Sequence, residues 1–309
     1  MTGSGTRVAA VDCGTNSVRL LVTDLDGGRQ QDLLRRNEIV RLGQDVDRTG
    51  RLAPEALDRT RVALVSYAED VSRLGAERLR MVATSATRDA ANRADFVGMV
   101  QATLGVEPEV VTGSEEAALS FAGATRALAP AGPVLVCDIG GGSTELVRGH
   151  RAAEAALSVD IGCVRLAERH FSAGLPPSTA AVDALVADAS AEVGRLVAAV
   201  PTAGVTDLLC LAGTATTVAA LAMGLGAYDA DTIHGARVTL AECEAVVDRL
   251  LALDREAIAV LPVMHPGRVD VITAGALVLR TVVRAAGTGS YVASESDILD
   301  GIAWSLLSD

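Results

Sequence analysis

The sequence predicts two similar α/β domains joined by a short linker. An apolar strand ending in Asp, a turn of the form x-Gly-x-x-Ser and a second apolar strand occupy residues 8–20 and recur at 134–146. The stretch 128–133, which contains two prolines and a glycine, separates the two copies. We therefore expect domains at 1–128 and 129–309, whose glycine-rich turns hold one ligand in a cleft between them.

Apolar periodicity and turn residues assign the elements of the first domain. The predicted strands are residues 7–13, 18–25, 33–42, 79–83 and 107–111, and the predicted helices are 54–73, 93–104 and 114–128. Pro54 opens the first of these helices, because proline fits the first helical position. The residues expected to face the core from this helix are Leu57, Val62, Val65 and Ala68.

The second domain repeats the strand-rich opening and then becomes mostly helical. Its predicted strands are 134–138, 143–147, 153–159, 207–211 and 290–293, and its predicted helices are 163–171, 179–199, 214–223, 240–253, 269–286 and 297–307. The last helix is a candidate to pack back on the first domain. The uncharged run 208–228 is long enough for a membrane span, but a Gly-Thr pair interrupts it, so we expect a strand and a helix there.

Composition excludes several classes of function. All 27 basic residues are arginine, and without lysine neither a Walker-A phosphate loop nor a lysine Schiff base is available. A net charge of −12 and an aromatic content of 2% argue against nucleic-acid binding. Residues 1–100 carry 15 Arg and 14 acidic residues, whereas residues 101–309 carry 12 and 25. An anionic ligand therefore depends on the first set of arginines, or on local neutralisation by a metal ion or backbone amides.

The cysteines and histidines favour a cytoplasmic protein without a zinc site. The five scattered cysteines include no CxxC pair and the N-terminus has no signal-peptide pattern, so we expect a reducing compartment and no membrane partner. The four histidines lack metal-ligand spacing, and neither a Gly-x-Ser-x-Gly turn nor a Cys–His pairing stands out. Zinc chemistry and covalent Ser or Cys catalysis are therefore disfavoured.

The segment 138–145, Asp-Ile-Gly-Gly-Gly-Ser-Thr-Glu, carries the strongest functional signal. Consecutive glycines permit positive φ angles and let backbone N–H groups approach an anion closely, and Ser143 and Thr144 add hydroxyl donors. Carboxylates beside a phosphate are the ligands that Mg²⁺ prefers, so Asp138 and Glu145 are candidate metal ligands. The alternative is a plain glycine-rich hairpin in which the aspartate caps the turn.

The segment 12–17, Asp-Cys-Gly-Thr-Asn-Ser, has the same form and is a candidate second phosphate loop. Alone it could be an ordinary hairpin turn, and its pairing with the later copy favours function. Arg19 follows on the outgoing strand, where it either points inward or lies on the surface.

Residues 84–92 place hydroxyl groups where a strand meets a helix, and a helix N-terminus collects anions. Arg88 in this segment could clamp a phosphate in a bidentate fork. Alternatively it forms a salt bridge with Asp89 or Asp95 on a solvated face.

Two adjacent glutamates open the helix before the linker. Thr112 and Glu115 have the spacing of a capping box, which gives Glu115 a structural role. Glu116 has no such role, and it is either a solvated carboxylate or a base that deprotonates a water. A third strand-to-helix junction contains Gly213 and Thr214, where Thr214 could be a simple N-cap.

In order along the chain, these motifs resemble the exopolyphosphatase / guanosine pentaphosphate phosphatase (Ppx/GppA) family. The resemblance also covers residues 268–275 and 296–301, so it runs nearly end to end. It implies the duplicated ribonuclease-H-like fold of actin, sugar kinases and Hsp70, with two actin-like domains and an interdomain cleft. It also implies hydrolysis of the terminal phosphoanhydride bonds of inorganic polyphosphate.

The resemblance further implies roles for individual residues. Glu116 would be the general base, and Asp138 and Glu145 would hold Mg²⁺ or Mn²⁺. The residues implied in phosphate binding are Gly14, Thr15, Asn16, Ser17, Arg88, Gly140, Gly141, Gly142, Ser143, Gly213 and Thr214.

The expected function is a magnesium-dependent exopolyphosphatase that releases orthophosphate. Long family members carry further C-terminal helical domains, whereas this sequence ends at Asp309, so we expect a preference for shorter chains. The alternatives are a guanosine pentaphosphate 5′-phosphatase, a small-molecule kinase of the same fold, and a non-catalytic sensor of polyphosphate or of guanosine penta- or tetraphosphate. A homodimer is the expected assembly, without a nucleic-acid partner.

Overall fold

The computed structural model describes residues 5–307, which form two compact α/β units, each built around its own sheet. The first unit contains the described residues up to Leu119 and those from Ile298 onward, and the second contains Ser120–Asp297. The predicted fold class, α/β with two sheets, is therefore confirmed. The change from the first unit to the second falls inside the helix Gly113–Leu128, and the domain boundary expected after residue 128 stays a prediction.

Eleven strands and thirteen α-helices are assigned within the described residues. The strands are β1 (Thr6–Cys13), β2 (Ser17–Asp26), β3 (Arg29–Ile39), β4 (Arg78–Ala83), β5 (Glu109–Val110), β6 (Val134–Ile139), β7 (Thr144–Gly149), β8 (Ala153–Val159), β9 (Asp207–Leu211), β10 (Arg237–Thr239) and β11 (Ser290–Ala293). The helices are α1 (Val46–Thr49), α2 (Pro54–Leu74), α3 (Ser85–Asp89), α4 (Arg93–Leu104), α5 (Gly113–Leu128), α6 (Cys163–His170), α7 (Thr179–Ala199), α8 (Ala212–Ala222), α9 (Ala230–Ile233), α10 (Leu240–Leu251), α11 (Arg255–Ala259), α12 (Ile272–Ala286) and α13 (Ile298–Ser305).

The two sheets share one topology, as duplication predicts. The first has the order β3-β2-β1-β4-β5, in which β1, β2 and β3 are antiparallel neighbours and β4 and β5 are parallel to β1. The second has the same order in β8-β7-β6-β9-β11, with the short β10 added antiparallel at one edge. Three antiparallel strands followed by parallel crossovers define the ribonuclease-H-like fold, and its duplication is confirmed.

Strand β1 is buried on both faces, because helices cover both sides of the first sheet. Ala9 faces a core that includes residues of α2 and α4, whereas its neighbour Ala10 faces α13. Polar contacts also hold α13 in place, since Asp300 accepts hydrogen bonds from Arg35 (2.5 Å) and Gln30 (2.7 Å) of β3. The terminal helix therefore packs on the sheet of the first unit.

The core of the second unit is larger and mainly aliphatic. Helices α6, α7, α8, α10 and α12 pack together with the sheet around buried Leu, Val, Ile and Ala side chains. Helix α12 lies at the centre of this packing, and its first four residues, 272–275, are all buried. The start of α12 is therefore enclosed by the core of this unit.

The predicted core face of α2 is only partly right, because Leu57 packs against the core whereas Val62 and Val65 do not. Val62 and Val65 are 57% and 42% exposed, and the buried residues are instead Ala56, Thr60, Ala63, Leu64 and Tyr67. Tyr67 sets the rotation of the helix, because its ring is fully buried and its hydroxyl donates to the carbonyl of Val18 (2.9 Å). The prediction used only aliphatic residues and gave no weight to a tyrosine or a threonine.

The predicted strand at 33–42 also ends early, at Ile39. Residues 40–43 leave the sheet because their N–H groups bond to the turn at 14–17. Within residues 5–307 no helix is long and apolar enough to cross a membrane, and the uncharged run 208–228 contains β9 and α8.

Candidate active site

The first loop, residues 14–17, is closed and braced by backbone hydrogen bonds. The N–H of Gly14 donates to the carbonyl three residues later (2.9 Å). The carbonyls of Thr15 and Asn16 accept hydrogen bonds from N–H groups within residues 40–43, at 2.8 to 3.1 Å. The segment that follows β3 therefore fixes the shape of this loop.

The second loop, residues 140–143, repeats this arrangement. The N–H of Gly140 donates to the carbonyl three residues later (3.0 Å). The carbonyls of the first two glycines accept N–H bonds from residues 163–165 at the start of α6, at 2.9 to 3.1 Å. Nε of Arg165 donates to the carbonyl of the third, Gly142 (2.8 Å). Here the segment that follows β8 fixes the loop.

The hydrogen bonds that the loop carbonyls accept from the neighbouring segments determine where the loop N–H groups point. The peptide bonds of both loops are trans, so each N–H points away from the carbonyl of the preceding residue. Because those carbonyls point to the bracing segments, the N–H groups of Gly141, Gly142 and Ser143 point to the opposite side. The same argument holds for Asn16 and Ser17 in the first loop. Each loop thus presents consecutive donors suited to an oxyanion.

The glycines at these loops allow other backbone atoms to approach closely, and they do not serve to adopt positive φ angles. Gly14 and Gly140 both lie outside the left-handed region, contrary to expectation, and a Cβ on Gly140 would stand 3.2 Å from the carbonyl oxygen of Ser143. Gly162 is tighter still, and sequence analysis missed it. A Cβ there would lie 2.4 Å from the carbonyl carbon and oxygen of Gly141. Its position directly before a predicted helix was the available signal.

Two carboxylates lie opposite one another on the strands that flank the second loop. Asp138 and Glu145 are register partners in the β6–β7 pair, so both side chains emerge on one face of the sheet. They are 8% and 1% exposed. Ser120 donates its hydroxyl to Asp138 (2.7 Å), and Ser158 donates to Glu145 (2.6 Å). The structure therefore brings together the second loop and both predicted metal ligands.

This pair of carboxylates fits a magnesium ion. Two buried carboxylates on facing residues repel each other unless a cation or a proton lies between them. Mg²⁺ is commonly bound through one or two carboxylates, with water and phosphate oxygens completing its shell. Within residues 5–307 no group of three or more His, Cys, Asp or Glu side chains is placed to hold a metal ion. A two-carboxylate site shared with a phosphate is consistent with that finding.

The first loop has an ion pair at the matching position. Asp12 and Arg19 are register partners in the β1–β2 pair, as Asp138 and Glu145 are in β6–β7. Arg19 donates to Asp12 from Nη2 (2.6 Å) and from Nε (3.0 Å). Arg19 therefore points toward the aspartate of its own hairpin, and the first loop carries its own cation.

The capping box at the start of α5 is confirmed. The N–H of Thr112 donates to the carboxylate of Glu115 (2.8 Å), and the N–H of Glu115 donates to the hydroxyl of Thr112 (3.2 Å). These hydrogen bonds hold the pKa of the Glu115 carboxyl below its usual value. Glu115 is thus occupied at the helix start, as predicted.

Glu116 is a buried carboxylate beside Arg88. It is 8% exposed, which rules out the alternative of a solvated helix carboxylate. Nη1 of Arg88 donates to Glu116 (3.1 Å) and to the backbone carbonyl of Val111 (3.0 Å), so Arg88 pairs with Glu116 rather than with Asp89 or Asp95. The structure joins the candidate base and the candidate phosphate clamp, a pairing that sequence analysis missed.

The start of α8 differs from the predicted N-cap. The helix begins at Ala212, and Thr214 lies inside its first turn, 5% exposed. Ala212 has φ 64°, a left-handed conformation that costs a non-glycine residue about 1 kcal/mol or more. Arg268 lies flat against Gly213, where a Cβ would stand 2.5 Å from the guanidinium carbon. Arg268 is therefore a cation at this helix start that sequence analysis did not assign to the site.

Three helices of the second unit begin close together. A Cβ on Gly275, in the first turn of α12, would lie 2.6 Å from the hydroxyl of Thr214 in α8 and 3.0 Å from Cβ of Cys163 in α6. Helix N-termini carry partial positive charge and favour anions. Together with Arg268, they provide positive potential beside the second loop in a chain whose net charge is −12.

Comparison with known proteins decides the family. The model of the Ppx/GppA phosphatase family matches residues 21–308. The chain belongs to this family. It is 48% identical to a relative named Exopolyphosphatase 2 from Mycobacterium tuberculosis, over 97% of this chain and 98% of the relative.

Solved structures of Ppx/GppA proteins agree with the fold over the whole chain. A crystal structure of an exopolyphosphatase-like protein has a TM-score of 0.93 and 40% identity, and covers 98% of both chains. A Ppx/GppA family member from Aquifex aeolicus has a TM-score of 0.83 and 29% identity over 98% of both chains. An exopolyphosphatase from Cytophaga hutchinsonii, at 22% identity and a TM-score of 0.88 over 98% of both chains, supports the fold.

Proposed function

We propose that this chain is an exopolyphosphatase that hydrolyses the terminal phosphoanhydride bond of inorganic polyphosphate and favours shorter chains. The observation that carries the proposal is the second loop, where backbone N–H donors lie beside two buried, facing carboxylates. Donors for phosphate oxygens and oxygen ligands for a divalent cation are what phosphoryl transfer requires. The 48% identical relative named Exopolyphosphatase 2 supports the choice of substrate.

In this proposal Glu116 is the general base. A water attacks the terminal phosphorus and its proton passes to the Glu116 carboxylate. The bond from this phosphorus to the bridging oxygen breaks, its electron pair stays on the shortened polyphosphate, and the attacked phosphorus is released as orthophosphate. Burial and the hydrogen bond from Arg88 keep this carboxylate in one position. A base must lie within hydrogen-bond reach of the proton that it takes, and a fixed carboxylate meets that requirement.

The loops bind the substrate in this proposal. The N–H groups of residues 141–143 and 16–17 donate to phosphate oxygens, and Arg88, Gly213 and Thr214 complete the set. Asp138 and Glu145 would hold Mg²⁺ or Mn²⁺. When bound there, the ion would neutralise charge on the phosphoryl oxygens. Because the loop donors are fixed by hydrogen bonds, they need no rearrangement as charge develops.

Phosphate release from defined substrates tests the function. The purified protein is incubated with Mg²⁺ and, separately, with short polyphosphate, long polyphosphate, guanosine pentaphosphate and ATP. The proposal expects release from polyphosphate, fastest with short chains, and much slower release by the Glu116→Gln variant. Binding of polyphosphate without any release would instead support a sensor.

A guanosine pentaphosphate 5′-phosphatase is the second candidate, and Tyr228 favours it. Tyr228 is 37% exposed, its hydroxyl donates to the carboxylate of Glu295 (2.5 Å), and the hydroxyl of Thr216 in α8 lies within hydrogen-bond distance of the tyrosine oxygen (2.7 Å). The guanidinium of Arg268 lies 5.9 Å from the ring centroid. An exposed ring held near a phosphate-binding helix start could stack on a base. Tyr228→Leu should then slow release from guanosine pentaphosphate and leave release from polyphosphate unchanged.

We also propose a cytoplasmic homodimer without nucleic-acid or membrane partners. The five cysteines are free and buried, as expected in a reducing compartment. Light scattering of the purified chain measures the assembly, and cell fractionation measures the location. A monomer at all concentrations, or the chain in a membrane fraction, would contradict this part of the proposal.

A further inference from the structure

We propose that Arg88 is a positioning residue that holds Glu116 with one nitrogen and the terminal phosphoryl group with the others. This inference rests on the proposed function, and it assigns Arg88 a role beyond binding phosphate. It explains how the base and the attacked phosphorus keep a fixed separation.

The nitrogens of Arg88 are used unequally. Nη1 donates to both Glu116 (3.1 Å) and the carbonyl of Val111 (3.0 Å). Among residues 5–307, Nε and Nη2 have no hydrogen-bond partner. The side chain is only 24% exposed, so these two donors keep a defined position instead of moving freely in solvent. A guanidinium presents such donors on a planar fork that matches phosphate oxygens.

Arg88 is held at its backbone and at the end of its side chain. Its N–H donates to the carbonyl of Thr84 (3.0 Å), which fixes it in α3. The neighbouring Ser85 shares a hydrogen bond with the hydroxyl of Thr15 in the first loop (2.8 Å). The carbonyl of Val111 fixes the other end of the side chain beside the start of α5. Arg88 therefore spans from the segment that contacts the first loop to the helix that carries Glu116.

An ion pair between Arg88 and Glu116 would form without the additional hydrogen bond from Arg88 to the carbonyl of Val111. The shared contact with the carbonyl of Val111 gives Nη1 a fixed position, so Glu116 is drawn to a defined point. Lysine at this position would keep the charge but would not hold a carboxylate and a phosphate in one plane. A misplacement of about 1 Å at a reacting group can cost about 10²-fold in rate.

The proposal predicts different effects of two substitutions at Arg88. Arg88→Lys should lower kcat on tripolyphosphate by about 10- to 100-fold with little change in KM, because the positive charge remains. Arg88→Gln should lower kcat and also raise KM. Arg80→Lys is the matched control, because Arg80 pairs with Glu109 in the same sheet (2.6 Å) and has no role in the site, so kcat should be unchanged.

A double-mutant cycle with Glu116→Gln decides whether Arg88 acts through the base. If it does, Arg88→Lys should cost much less in the Glu116→Gln background than in the wild type. Equal costs in both backgrounds would overturn the proposal, because Arg88 would then act on phosphate alone. Thermal unfolding of each variant shows whether it is folded, and comparison with Arg80→Lys corrects for general loss of stability.

A binding measurement separates failure of this inference from failure of the proposed function. Calorimetry with methylenediphosphonate, which is not hydrolysed, needs no activity. Wild type, Glu116→Gln and Arg88→Lys should bind this probe similarly, and Arg88→Gln should bind it more weakly. Unchanged binding by Arg88→Gln would overturn the phosphate half of the inference. If the wild type binds the probe but releases no phosphate from any polyphosphate, the proposed function fails instead.

Discussion

The two glycine loops have the same backbone hydrogen-bond pattern but differ in the charge of the side chains beside them. Each closes with an N–H from its glycine to the carbonyl three residues later, and each is braced by the segment that follows the third strand of its unit. At the facing strand position, however, the first loop pairs Asp12 with Arg19, whereas the second pairs Asp138 with Glu145. The two hairpins therefore share the hydrogen-bond pattern of the loop and differ in the charge of one strand residue beside it. The first hairpin has an arginine at this position and the second has a glutamate, and we propose that the second binds a divalent cation.

The bracing segments differ as well. In the first loop a Cβ on Gly43 would lie 2.3 Å from Cγ2 of Thr15, which is a side-chain atom. In the second loop a Cβ on Gly162 would lie 2.4 Å from the backbone of Gly141. A clash with a side-chain methyl group displaces that side chain first, whereas a clash with the backbone displaces the hydrogen-bonded loop itself. The second loop is therefore the less tolerant of the two.

The largest expected effect concerns the base, which neither loop supplies. Glu116→Gln keeps the size of the side chain and removes its proton-accepting ability. General-base catalysis contributes about 10²- to 10⁴-fold, so kcat on tripolyphosphate should fall by that factor. Binding of substrate should persist, because the loop donors are unchanged. Full activity in this variant would mean that the water is activated elsewhere.

The next prediction tests the built-in cation of the first loop. Arg19→Gln removes the guanidinium group that donates to Asp12, which is 3% exposed. Breaking a buried ion pair costs about 3–5 kcal/mol, so the free energy of unfolding in urea should fall by about that amount. In the second loop Asp138→Asn, measured without metal, should cost much less, because asparagine keeps an acceptor for the Ser120 hydroxyl and the register partner is another carboxylate. Equal destabilisation by both variants would remove the distinction between the loops.

A smaller effect distinguishes the bracing segments. Gly162→Ala should displace the second loop and lower kcat/KM by about 10²-fold, as a shift of about 1 Å at a reacting group does. Gly43→Ala is its counterpart in the first loop and should cost less, because the nearest atom is a side-chain methyl group of Thr15 and not the backbone of the loop. Steady-state kinetics and thermal unfolding measure both variants. A larger loss from Gly43→Ala would reverse the comparison.

The smallest effect is expected at Glu115. Glu115→Gln weakens the capping box with Thr112, so Tm should fall slightly and the rate should hardly change. It is the control for Glu116→Gln, because the two residues are adjacent on one helix. An essential Glu115 with a dispensable Glu116 would show that the assignment is one residue out of register.

Local patterns made much of the fold predictable from the sequence. The repeated strand–turn–strand pattern predicted the duplicated topology, because β1 and β6 have corresponding neighbours in the two sheets. The capping box was predictable because Thr112 and Glu115 are three residues apart, within one helical turn. The face of α2 was not, because the buried hydroxyl of Tyr67 bonds to Val18, far away in the sequence.

The site was predictable as separate motifs and not as contacts between them. Arg88 and Glu116 were each singled out, but their hydrogen bond joins residues 28 positions apart. Gly162 and Arg268 were missed because each matters only through a neighbour from another segment, Gly141 or Gly213. A periodicity or a motif does not report close approach between distant segments, and the three-dimensional structure does.

The magnesium dependence of phosphate release is the most direct test of the proposal that Asp138 and Glu145 beside the second loop hold a divalent cation, whereas Asp12 beside the first loop does not. Phosphate release from tripolyphosphate is measured against Mg²⁺ concentration for the wild type, Asp138→Asn, Glu145→Gln and Asp12→Asn, with thermal unfolding to confirm that each is folded. The account predicts that Asp138→Asn and Glu145→Gln sharply raise the Mg²⁺ concentration needed for half-maximal rate, and that Asp12→Asn does not. An unchanged requirement in both second-loop variants, or a raised one in Asp12→Asn, would contradict it.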